Sequence, residues 1–266
     1  MNMIVCVKQV PDPEAPPGSF KIDPVTNNMM PPTGFPPVIS PFDEQAVEAA
    51  LRIKDINSGK ITIISLGFNL LRDVVKKPIS MGADELILLE DPAFVDGDSW
   101  STASALAAAI RKIGQYDLIF CGRQAADWDS GQVGSGIAEI LGLPQVTLAK
   151  KVEVTGNKVK VEKVTADGCE MVAAAMPALI TVSNELGEPR YATIKGIMSA
   201  KAKEPIVWKP ADIGVDVSKI GAAGRRTRML KLFQPVHGGK CEIITGRNEE
   251  DAGANLAKKL VEVKLL

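Results

Sequence analysis

The first 122 residues alternate short apolar runs with amphipathic stretches, and that order restricts the possible folds more than any other feature of the chain. "MIVCVKQV" (3–10), "ITIISLG" (61–67), "ELILLE" (85–90) and "YDLIFCG" (116–122) are strand-sized and rich in valine, isoleucine and leucine. Such runs read as strands buried on both faces. Between them, "PFDEQAVEAALRIKDI" (41–56), "NLLRDVVKKPISMG" (69–82) and "SWSTASALAAAIRKIG" (99–114) carry a helical period. A β-α-β-α order predicts a parallel sheet with helices on both faces. Ligands of such sheets sit outside the carboxyl ends of the strands.

Local signals sharpen the elements. Ser40 suits the cap of the 41–56 helix, Pro41 its first position, and Asp43 with Glu44 the positive end of its dipole. Pro78 predicts a kink or stop in the 69–82 helix. Residues 11–41 hold ten of the 18 prolines. Within them, "FKIDPVTNNMM" reads as a small hairpin or extended ribbon. That segment is either a rigid surface excursion or an arm that meets a partner or walls a ligand site. After residue 144, "VTLAKKVEVTGNKVKVEKV" alternates around a Thr-Gly-Asn-Lys turn, an antiparallel hairpin signal. "EMVAAAMPALITVSN" supplies more strand, so antiparallel additions to the sheet are expected. From about Lys209 dense hydrophobicity is lost, until an amphipathic helix at 249–261 capped by Asn248. A long irregular segment before a terminal helix suggests an arm reaching over another subunit.

Composition excludes several functions. With a formal net charge of −1, nothing directs the chain to nucleic acid or an anionic membrane. Its apolar runs are too short to span a bilayer, and its first residues lack the features of a secretory leader, so a cytoplasmic protein is expected. Cys6, Cys121, Cys169 and Cys241 form no CxxC pair and read as buried free thiols. His237, the only histidine, sits in "FQPVHGGK" without neighbouring ligand residues, so no metal or catalytic role is expected of it.

The apolar run "YDLIF" leads into "CGRQAADWDSGQVGSGIAEI" (121–140). The strand should end near Cys121, with Asp129 or Ser130 capping the helix that follows. The N–H groups of Ser130, Gly131, Gln132 and Val133 would then face outward and bind an anion, phosphate above all. Gly131, Gly134 and Gly136 weaken a helix, which suggests close approach of a ligand or of backbone. Arg123 suits a phosphate, and Gln124 or Asp127 a ribose or base edge. A tight strand-to-helix turn alone is the competing reading. The stretch is neither GxGxxG nor GxxxxGK[ST].

"GRQAADWDSGQ" resembles the nucleotide-binding signature of the β subunits of electron transfer flavoproteins. "VCVKQVPD", "SPFDEQAVEAALRIKD", "SMGADELILLED" and "EPRYATIKGIMSAKAK" resemble other segments of that family, in the same order, from residue 3 to about 209. The resemblance implies an α/β, three-layer Rossmann-like sheet of the adenine-nucleotide-binding (HUP-like) type, mostly parallel with antiparallel additions. It also implies a nucleotide-binding domain at 1–208 and an extended C-terminal arm at 209–266, packing on an α subunit. FAD, the redox centre, would be held mainly by that α subunit, and AMP by this chain. By the match, the AMP site comprises Cys6, Ser40, Leu66, Gly122, Arg123, Gln124, Ala125, Ala126, Asp127, Trp128, Asp129, Ser130, Gly131, Gln132 and Val133. Cys6 and Leu66 would act through backbone or packing. Trp128 replaces a small or acidic residue common in the family, and suits a base, a lid or the α subunit equally.

The resemblance also makes Ile194 the apolar anchor inserted into a dehydrogenase partner, such as an acyl-CoA dehydrogenase, with Arg190, Tyr191 and Lys195 around it. Lys195, Lys201 and Lys203 would steer an acidic partner. The expected function is an electron carrier subunit without catalytic residues of its own. The alternatives are a flavin-bifurcating form, with a second FAD in place of AMP and NADH as donor, and a stand-alone ATP-binding protein. The last is disfavoured because "QVPDPEAPP" follows strand one where a serine-glycine-glycine phosphate loop belongs.

Overall fold

The computed structural model describes residues 1–26, 28–234 and 241–266; His237 lies outside the described residues. The chain divides into two compact units, Met1–Lys231 and Leu232–Leu266. Along the chain the strands are β1 (Asn2–Val7), β2 (Gln9–Val10), β3 (Lys21–Ile22), β4 (Met29–Met30), β5 (Val38–Ile39), β6 (Lys60–Gly67), β7 (Glu85–Glu90), β8 (Leu118–Gly122), β9 (Gln145–Thr155), β10 (Lys158–Thr165), β11 (Gly168–Ala175), β12 (Ala178–Val182) and β13 (Ile206–Trp208). The helices are α1 (Pro41–Asn57), α2 (Arg72–Val75), α3 (Lys77–Met81), α4 (Ser99–Ile113), α5 (Val133–Leu141), α6 (Ile194–Ala202), α7 (Gly221–Gly224) and α8 (Glu249–Glu262).

Nine strands make one sheet in the order β11-β10-β9-β12-β8-β1-β6-β7-β13. From β9 to β13 every neighbouring pair is parallel. The additions β10 and β11 are antiparallel, turning at Gly156 and Asn157 where the Thr-Gly-Asn-Lys signal predicts a hairpin. This is the three-layer α/β fold expected. Alternate strand residues serve opposite faces, as the two-residue period of a strand requires. Met3, Val5 and Val7 pack with α1, α2, α3 and α6, while Ile4 and Cys6 pack with α4 and α5.

The 69–82 helix breaks at Lys76, and Pro78 sits in the first turn of α3, where its missing N–H costs nothing. The Pro-rich segment carries the small hairpin: β3 pairs antiparallel with β4, and Asp23 accepts from the N–H of Val25 at 2.8 Å. Residues 209–231 belong to the first unit, where Ile213 and Ile220 are buried against α4 and β7 residues. In the second unit, Asn248 Oδ1 caps α8 by accepting from the Asp251 N–H at 2.8 Å. Among the described residues no helix is long and apolar enough to cross a membrane.

The chain builds outward from β1 to β6 and β7, then returns to place β8 on the other side of β1. The strand order therefore reverses between β1 and β8. Outside the carboxyl ends of those two strands lies the crevice that open α/β sheets use for ligands.

Candidate functional site

The ladder between β1 and β8 runs from Met3 and Leu118 to Cys6 and Cys121, then stops. Asp43, from the first turn of α1, fills the gap. Its Oδ2 accepts from the Lys8 N–H at 2.8 Å and its Oδ1 from the Gly122 N–H at 3.1 Å. Two central strands and a helix start are thus tied to one buried carboxylate. Gly122 has to be glycine here, because a Cβ would lie 2.5 Å from Asp43 Oδ1 and 2.8 Å from the carbonyl carbon of Phe42.

Burial drives the Asp43 carboxyl up to about 7, against the Lys8 and Gly122 N–H donors and the Lys8 ammonium, which favour the charged form; the Asp127 carboxylate adds to the rise. The folded chain therefore keeps this proton to higher pH than the unfolded chain, whose ordinary value is 3.8. Unfolding releases a proton between those values, so this group's contribution to stability falls as pH rises through the window and is level above it. The urea midpoint of the wild type minus that of Asp43→Asn is expected to decline from about pH 4 to about pH 7 and to level off above. A difference independent of pH would exclude the linkage.

Lys8 extends this cluster across the mouth of the crevice. Its Nζ lies 2.6 Å from Asp127 Oδ2, clamping the segment after β8 to the end of β1. The Asp127 side chain is 9% exposed, and its Oδ1 is buried without a hydrogen-bond partner among the described residues. Arg123 Nε is a buried donor in the same condition. The Arg123 guanidinium lies 5.8 Å from the Phe42 ring and donates to Asn184 Oδ1 at 3.4 Å. Ser40 occupies the cap position of α1, yet its hydroxyl does not cap; Oγ accepts from the Ala126 N–H at 3.3 Å. Cys6 and Cys121 lie side by side and buried beneath the cluster, and Leu66 is half-buried at the end of β6; Cys169, on the outermost antiparallel strand, and Cys241 are exposed, contrary to the expectation of four buried thiols.

The helix after β8 starts later than the sequence implies. Neither Asp129 nor Ser130 caps it; α5 begins at Val133 with Gln132 before it. Asp129, at φ 50°, and Gly131, at φ 62°, are left-handed, and such residues interrupt helical winding. The Asp129 carboxylate instead accepts from Gln124 Nε2 at 2.8 Å, and Ser130 Oγ lies 3.3 Å from Ser99 Oγ at the start of α4. The first helical backbone bond of α5 runs from the Gly136 N–H to the Gln132 carbonyl at 2.9 Å. The donors left over by the helix geometry are therefore those of Val133, Gly134 and Ser135, three residues further on than Ser130–Val133. Free N–H groups at a helix start suit an anion in either position. Two of the glycines have packing reasons: a Cβ on Gly134 would meet Thr181 Cγ2 at 2.8 Å, and one on Gly136 would meet Ala103 Cβ at 2.9 Å. Trp128 is 55% exposed and Ala125 is half-buried in the same segment.

Leftover N–H donors, a buried guanidinium N–H and a buried carboxylate oxygen make a donor and acceptor set that suits a nucleotide, with phosphate on the donors and a hydroxyl on Asp127. Lys8 and Asp43 escaped sequence reasoning. A lysine closing an apolar strand and an acid within a buried helix pattern were the available signals, but neither names its partner.

The second cluster is remote in sequence. Ile194 opens α6 and is 81% exposed; Tyr191 is 96% exposed, and Lys195 is exposed beside them. Thr193 caps the helix by accepting from the Gly196 N–H at 3.0 Å. Arg190 is not displayed in the same way. Its guanidinium pairs with Glu48 and with Asp55, both at 2.8 Å, fastening the loop to α1. Burial pushes the Glu48 carboxyl up, but hydrogen bonds from Arg190 and Arg52 outweigh it and hold the group below the usual range.

The electron transfer flavoprotein domain model matches residues 36–213. An electron transfer flavoprotein subunit beta from Thermoanaerobacterium thermosaccharolyticum is 42% identical over 98% of both chains. The caffeyl-CoA reductase-Etf complex subunit CarD of Acetobacterium woodii is 37% identical over the full length of both. Protein FixA of Azorhizobium caulinodans is 37% identical over 88% of this chain and 85% of its own. With matches of that extent on a sheet whose switch-point crevice has been traced residue by residue, the chain belongs to the electron transfer flavoprotein β-subunit family.

Proposed function

We propose that the chain works as the β subunit of a heterodimer, carrying electrons between acyl-CoA-type dehydrogenases and a quinone-reducing or other acceptor. FAD is held mainly by the α subunit, and AMP binds in the crevice described above. The observation that carries the AMP assignment is that the segment from Gly122 into α5 holds both the N–H groups of Val133 to Ser135 left over by the helix and two buried atoms without a hydrogen-bond partner among the described residues, Arg123 Nε and Asp127 Oδ1. The C-terminal unit Leu232–Leu266 is proposed to pack on the α subunit, and Ile194 to enter the dehydrogenase.

A second reading has its own observation. A cavity of about 280 Å³, lined mainly by apolar groups of Val10, Pro11, Pro32, Phe35 and Leu71, lies beside the end of β2. Its lining follows Lys8 along the chain, and a second FAD in a bifurcating enzyme with NADH as donor would need added space of this kind. Release of cofactors from the purified complex decides between them. One FAD and one AMP per heterodimer is the expected result; two FAD without AMP would establish the second reading, and neither nucleotide in this chain would overturn both.

A further inference from the structure

Below the loop that follows β8, three charged groups lie in series: Asp43, Lys8 and Asp127. Asp43 is buried between the ends of β1 and β8, and the Asp127 side chain, 9% exposed, lies in the loop that follows β8. Among the described residues a single ammonium, that of Lys8, faces the two carboxylates from the end of β1. The other titratable group turned toward Asp43 is the Cys121 thiol on β8, whose pKa is raised first by its contact with Cys6 and next by burial. These three groups therefore hold one more negative charge than positive when both carboxylates are ionised; the Arg123 guanidinium of the same loop lies against the Phe42 ring and donates to Asn184. A phosphate seated on the α5 start would place further negative charge over it. Lys8 is already engaged with Asp127, so it cannot neutralise both.

We propose that Asp43 is the proton-accepting group of this site, taking up a proton when an anionic nucleotide binds, so that nucleotide occupancy is coupled to pH. The proposal rests on the nucleotide reading above. Its chemistry is balanced: one proton moves from solvent to an Asp43 carboxylate oxygen, and no bond of the ligand changes. Protonated, Asp43 still presents oxygen to the Lys8 and Gly122 N–H groups, so the two strand ends remain tied while the surplus charge is removed. Asp43 acts as a positioning residue, reaching the ligand through Gly122 and through the Lys8–Asp127 clamp.

Titration calorimetry of AMP into the nucleotide-free complex, in two buffers of different ionisation enthalpy, tests this. At about pH 8 the AMP phosphate is already a dianion, so the ligand itself contributes little proton exchange. Uptake of a substantial fraction of one proton is expected, with binding weakening by about three- to tenfold per pH unit above the pKa of Asp43. Asp43→Asn is expected to bind AMP without that uptake. Equal heats in both buffers for the wild type would overturn the proposal and leave the nucleotide site standing. No AMP binding at any pH would overturn the site and the proposal with it. If Asp43→Asn does not fold, the wild-type buffer comparison alone decides.

Discussion

Gly122→Ala is expected to destabilise the chain by about 3 kcal/mol and to strip it of nucleotide, although only one methyl group is added. Nothing in the Gly122 backbone forbids alanine, since its φ is not left-handed. The obstacle is space. The new Cβ would fall 2.5 Å from Asp43 Oδ1 and 2.8 Å from both the carbonyl carbon and the Cβ of Phe42. Backbone at Phe42 yields only if the start of α1 moves, and α1 is packed against β1 and β8. Moving it lengthens both hydrogen bonds to Asp43 and carries Ser40 away from the Ala126 N–H. Gly131→Ala is the control: its Cβ meets only the Arg123 carbonyl oxygen at 3.4 Å, so the cost there is the left-handed conformation, about 1 kcal/mol. Urea unfolding with nucleotide content measured in parallel checks both. A Gly122→Ala chain within about 1 kcal/mol of wild type would show that α1 is not wedged against β8 as described.

Ile194→Ala is expected to weaken the proposed complex with a dehydrogenase by about 30-fold, from a loss of ~2 kcal/mol at the proposed anchor, while leaving folding nearly untouched. In the free chain the side chain is 81% exposed, so truncation removes almost no core packing. The alternative, that Ile194 is a helix residue facing the interior, is excluded by that exposure. Arg190→Ala is expected to behave differently. It leaves Glu48, a buried carboxylate, with Arg52 as its remaining ion-pair partner, and it frees the loop that carries Ile194. Stability and partner affinity should then fall together. Steady-state electron transfer at varied dehydrogenase concentration, with FAD content and melting temperature as controls, separates the two variants. Unchanged affinity in Ile194→Ala would remove the anchor from the proposal.

The elements themselves were legible. The run of valines and isoleucines at 3–7 predicts β1, the alternation at 145–165 predicts the β9–β10 hairpin, and Asn248 predicts the start of α8 within a residue. Each of these depends on neighbours a few positions away, and periodicity records such relations directly. The start of α5 was misplaced by three residues because a left-handed Asp129 has no compositional mark; aspartate caps helices and also tolerates φ above zero. Gly134 and Gly136 suggest close approach of a ligand or of backbone, and the atoms that exclude a Cβ there are side-chain atoms of Thr181 and Ala103.

By itself, then, the sequence determined the parallel sheet, its antiparallel extension and the family, and it marked the segment after β8 as the candidate place for a ligand. Only the tertiary structure decided which charges meet in that place. Lys8 and Asp127 stand 119 residues apart and Asp43 and Gly122 stand 79 apart. Their contact exists because β8 returns to lie beside β1, and strand order leaves no trace in the spacing of either residue. Burial then converts that adjacency into chemistry, since a carboxylate removed from water at a strand end holds its proton where one on the surface does not.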